Sequence, residues 1–111
     1  MLQESRTLPD NLFEGGFAST HSGTDRPKRE DVDVCKRWIE TYAEPAASIV
    51  RIGSSYSYKH RVEREARTRV SGHRSIPNGA FIAAAIELGY RWRRASPNSP
   101  NACFAMKMKK A

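Results

Sequence analysis

Few residues in this chain have the type and spacing that chemistry requires, and most of those are cations. His60 stands between Lys59 and Arg61, and a histidine acting as general base needs a carboxylate or nucleophile that the neighbouring sequence does not supply. It reads as a surface histidine. Asn78 and Gly79 open an apolar run, where an amide side chain and a helix N-terminus together suit an anion. Helix capping accounts for the pair equally well, and both readings stay open. Trp92 is set between Arg91 and Arg93, an arrangement that can stack on an unpaired base. Period-two alternation instead groups it with Tyr90 on a packed face covering the core, which is the expectation. Cys35 and Cys103 lie far apart, with no Cys or His at ligand spacing, and are expected as buried thiols rather than a zinc site or redox pair. The chain has no Gly-rich phosphate loop, carboxylate cluster or metal-ligand spacing, so neither enzymatic activity nor a cofactor is expected.

The cations are unevenly placed. Residues 1–44 hold 6 Lys or Arg against 9 Asp or Glu, whereas residues 45–111 hold 13 against 3. Concentrating like charge costs self-repulsion, so the excess points to a polyanionic partner; nucleic acid is expected, DNA ahead of RNA. The residues expected to make the contact are Lys59, His60, Arg64, Arg67, Arg69, Arg74, Arg91, Arg93 and Arg94. An acidic protein partner stays open. A membrane surface does not fit, because no basic amphipathic helix carries the Trp, Phe and Leu face that interfacial helices use. The N-terminus lacks a signal-peptide pattern and no apolar run approaches spanning length, so a cytoplasmic protein is expected.

The elements that must position these residues follow from periodicity. Residues 1–26 mix Gly, Ser, Thr, Asp and Pro without a sustained period and read as a flexible arm, although Leu12, Phe13 and Phe17 offer docking points. Residues 27–111 read as a single domain. Val34, Cys35, Trp38, Ile39 and Tyr42 recur at helical spacing, predicting a helix over 31–43 that Pro45 ends. Ile49 to Ile52 is a short apolar run that fits a strand or an extended link. A second helix is predicted over 55–69, with Tyr58 and Val62 inward and Tyr56 exposed. Glu63 and Glu65 stand four residues before Arg67 and Arg69 and can pair with them. Pro77 and Gly89 bracket a third helix over about 77–88. It is apolar around nearly its whole circumference and must be buried. Alternation over 90–94 and 101–107, either side of a Ser and Pro loop, predicts a C-terminal β-hairpin. Phe81, Ile82, Ala85, Ile86, Trp38, Ile39, Val62 and Phe104 are the expected core. The amount of apolar surface on the third helix also makes self-association, as a homo-dimer, an expectation.

Two segments, YSYKHRVEREA and SIPNGAFIAAAIELGYRWRR followed by PNACF, resemble small proteins carried by bacterial plasmids, integrative elements and prophages. The matching positions are Lys59, His60, Glu63, Asn78 to Ile82, Gly89, Tyr90 and Pro100 to Ala102. The fold class expected is mainly α with a C-terminal β-hairpin (α+β), built on a winged-helix-like three-helix core. A winged helix reads DNA with a polar helix, whereas the third helix offers only Asn78 and Glu87. The expectation is therefore a basic protein of a mobile element that contacts phosphates with little sequence specificity. The alternative is an inhibitor that binds a host protein or ribonucleoprotein, an anti-defence protein such as an anti-CRISPR, through the arm and the acidic first helix.

Overall fold

A computed structural model describes residues 6–18, 25–50, 53–69 and 75–110, and among 66–69 the backbone alone. Its centre is the apolar third helix. α3, Asn78–Glu87, has every residue from Asn78 to Ile86 buried, as a helix without a polar face requires. Gly89, at φ 90°, ends it: the Gly89 N–H donates to the Ile86 carbonyl and the Tyr90 N–H to Ala85, at 2.9 and 3.0 Å. This pair of bonds closes the last turn only when the residue after the helix is left-handed, which glycine allows.

Two other helices lean on α3. α1, Arg29–Tyr42, turns Val32, Cys35, Trp38 and Ile39 inward and carries Glu30 and Asp31 at its positive end. α2, Ser55–Arg69, turns Tyr58 and Val62 inward. Phe81 is the hub. Its ring stacks on Tyr58 at 5.2 Å and meets Phe104 at 5.6 Å and Trp38 at 6.1 Å edge-on, so one side chain joins α1, α2, α3 and the sheet.

The sheet is where the sequence reading fails. β3, Ala43–Val50, follows α1 without a loop, and pairs antiparallel with β5, Ala102–Met108, whose other neighbour is β4, Trp92–Arg94. The C-terminal strands are thus not a hairpin wing on a three-helix core. The protein is a small α+β domain with three helices and two sheets among the described residues. A wing projects into solvent, whereas Ala102 to Met106 of the central strand are all buried. Pro45 ends α1 as expected yet lies inside β3, opposite Met106. It is tolerated there because β3 is an edge strand and needs no proline N–H on its outer side. Beyond Pro45 the strand bulges: residues 46 to 49 stand opposite Ala105 alone before Val50 meets Phe104.

The second sheet comes from the stretch read as an arm. β1, Leu12–Phe13, and β2, Gly16–Phe17, pair around a tight turn, and Leu12 and Phe17 are fully buried in the common core. Arg26 holds this segment by donating to the carbonyls of Pro9, Asp10 and Leu12 at 2.8 to 3.0 Å. Residues 1–5 and 19–24 of the arm lie outside the described residues.

Candidate nucleic-acid interface

Asn78-Gly79-Ala80 and Pro100-Asn101-Ala102 meet in the fold. Asn78 Nδ2 donates to Asn101 Oδ1 at 2.9 Å and lies 3.3 Å from the carbonyls of Gly15 and Pro100. The Gly79 N–H donates to Glu14 at 2.7 Å, and the Phe17 N–H to Pro100 at 2.9 Å. The start of α3 is therefore engaged by the β1–β2 turn. Asn78 does not cap the helix, whose N-cap position is Pro77 with no side-chain cap bond; its amide instead ties the β1–β2 turn to the loop at Pro100 and Asn101.

On α2 the expected contacts divide. Lys59 Nζ lies 3.5 Å from Glu63 Oε2 and His60 Nδ1 3.0 Å from Oε1. Glu63 is buried and also accepts the Ile76 N–H at 2.7 Å, fixing residues 75–76 against the helix. Burial pushes its carboxyl up, but the Ile76 N–H, Lys59 and His60 together outweigh this and hold it below the ordinary carboxylate value. Lys59 and His60 are spent on that group. Arg64 is exposed and makes no hydrogen bond or ion pair among the described residues. The side chains of Arg67 and Arg69, and the whole of Arg74, lie outside what the structure describes.

The three arginines after α3 differ just as sharply. Arg91 crosses the central strand and donates to the Ala47 carbonyl in the β3 bulge at 3.1 Å, which helps cover Ala105. Arg94 donates to Ser99 at 2.6 Å and Ala18 at 2.8 Å and sits 5.4 Å above the Phe17 ring. It pins the β4–β5 loop to β2. Arg93 alone of the three is exposed, with no such partner among the described residues. Trp92 stacks on Phe17 at 5.2 Å, so one face of its ring covers the N-terminal sheet rather than standing open to a base.

Alternation separates the two faces of the three-stranded sheet. Phe104 meets the helices, whereas Arg93 shares the opposite face with its register partner Cys103 and with Lys107, which is exposed. On this face an open cleft of about 620 Å³ lies between Ser54, at the foot of α2, and the β4–β5 loop at Ser96 and Pro97, with Arg93 and Cys103 among its lining. The sequence reading did not include Ser54, Ser96, Cys103 or Lys107 in the interface. Its own strand alternation, which sets Cys103 and Lys107 on one face, was the signal for two of them. Among the described residues no group of three or more His, Cys, Asp or Glu could hold a metal, and no helix is long and apolar enough to cross a membrane. No family model, curated protein or solved structure matches the chain.

Proposed function

We infer that this protein binds nucleic acid, DNA in preference to RNA, through phosphates and with little sequence discrimination, and that it does no catalysis. The resemblance to proteins of plasmids, integrative elements and prophages supports placing it on a mobile element, acting in the cytoplasm. The observation that carries the reading is the fate of the acids. Residues 45–111 hold only Glu63, Glu65 and Glu87. Glu63 meets Lys59 and His60, Glu65 accepts the Tyr42 hydroxyl at 3.0 Å, and Glu87 is taken by Arg29 and Lys36. None of these contacts reaches Arg64 or Arg93, which make no ion pair among the described residues and so present their charge to a polyanion.

Titrating random duplex and single-stranded oligonucleotides at low and physiological salt tests this. The expected result is sequence-independent binding whose log affinity falls steeply with log salt, since each neutralised phosphate releases counter-ions. Absence of binding even at low salt would overturn the reading. In that case retention of a host protein or ribonucleoprotein by the immobilised protein becomes the next measurement.

A further inference from the structure

We propose that the cleft between Ser54 and the β4–β5 loop receives one unpaired nucleotide, its phosphate on Arg93 and its base over the floor at Cys103. The proposal rests on the nucleic-acid reading and narrows it to a strand whose base is free to leave the stack. At about 620 Å³ the cleft has the size of a small-molecule site, about 300 to 1,000 Å³. A lone phosphate fills little of that. A duplex presents phosphates outside and keeps its bases stacked within, so it can reach the rim but leaves the floor empty. An unpaired nucleotide can occupy both, because a splayed base stacks on guanidinium planes and apolar side chains.

The lining matches that division. Arg93 brings a guanidinium with no acid partner among the described residues, and Ser54 and Ser96 add hydroxyls. Pro97 supplies an apolar wall, and Cys103, 7% exposed, the floor. Arg94 also lines the cleft, and its Nε and Nη2 donate to the Ser99 and Ala18 carbonyls. These two bonds fix it as a wall against which a base can lie. The same chemistry would accept a free nucleotide.

Cys103 is the reporter. Cys35 is completely buried, so a disulfide reagent such as DTNB reads the cleft, and Cys103→Ser confirms which thiol responds. A saturating single-stranded oligonucleotide should slow labelling several-fold while a saturating duplex leaves it unchanged. Protection by a nucleoside monophosphate as well would support the same site and make free nucleotide a ligand. Equal protection by the duplex overturns the need for an unpaired base. Binding of both nucleic acids without protection by either overturns the cleft while the nucleic-acid reading survives, and absence of binding removes both. Should Cys103 not react in the unliganded protein, Arg93→Ala decides. It should weaken single-strand binding about tenfold, the order expected for one hydrogen bond to a charged group, and duplex binding by less; equal losses overturn the proposal.

Discussion

A methyl group on Gly79 would overlap the Phe13 carbonyl oxygen and come within 2.8 Å of that of Glu14, and both are backbone atoms that cannot step aside. Gly79→Ala should therefore lift the β1–β2 turn from α3 and cost about 1 to 3 kcal/mol, the range for forced overpacking, as a fall in the denaturant midpoint. A second prediction concerns acid. Glu87 lies at about 2 against an ordinary value of 4.5, because the Arg29 guanidinium hydrogen-bonds it; burial opposes this, and Lys36 adds to it. A depressed carboxyl contributes stability that is complete above pH 4.5 and lost as pH falls toward 2. Glu87→Gln should be less stable at neutral pH and show a flatter loss across that window. At this scale the sequence was legible where a neighbour decides the outcome and silent where a distant carbonyl does. Arg91, Arg93 and Arg94 look equivalent in the chain. They are told apart by Ala47, Ser99 and Ala18, which only the fold brings within reach.

Among the elements, helices were readable because an apolar stripe that recurs every three or four residues over three turns fits the helical period and not the period of a strand. The sheet was not, for two physical reasons. β3 contains Pro45, which in an isolated sequence argues against a strand and is admissible only once the strand is known to lie at an edge. β1 and β2 are two residues each, too short for any period, and they form because Arg26 donates to Leu12, Pro100 accepts the Phe17 N–H, and the start of α3 holds the turn at Glu14 and Gly15. Burial of α3 within one chain also removes the apolar surface that suggested a dimer. The test of the N-terminal sheet is direct. Leu12→Ala, in a stretch that composition marks as flexible, should cost about 2 to 5 kcal/mol, as at a fully buried core leucine, and lower the melting temperature. A change within about 0.5 kcal/mol, the scale of surface substitutions, would show that the segment is only loosely docked.

Across the whole molecule, positive charge does two separate jobs, and they can be measured apart. Arg94 closes the β4–β5 loop onto β2, while Arg64 and Arg93 have no internal anion among the described residues. They also sit on different elements. Arg64 lies nine residues beyond Ser55 along α2, about 14 Å at the helical rise, whereas Ser55 is anchored beside the sheet through its hydroxyl, which accepts the Ala102 N–H at 3.0 Å. A phosphate chain that touches both residues must therefore track along α2 rather than gather at one point. Arg64→Ala should shallow the duplex salt dependence by about 0.9 and Arg93→Ala the single-strand dependence by about 0.7, the values for one phosphate contact in each, and both should leave stability within about 0.5 kcal/mol, as for surface substitutions. Arg94→Ala should do the reverse, lowering the unfolding midpoint with little effect on the salt slope at temperatures where the protein stays folded. If all three arginines changed the slope alike, the positive field would be acting as a diffuse cloud. Separation of the two effects would show discrete contacts at Arg64 and Arg93, carried on a scaffold that Arg94 helps hold together.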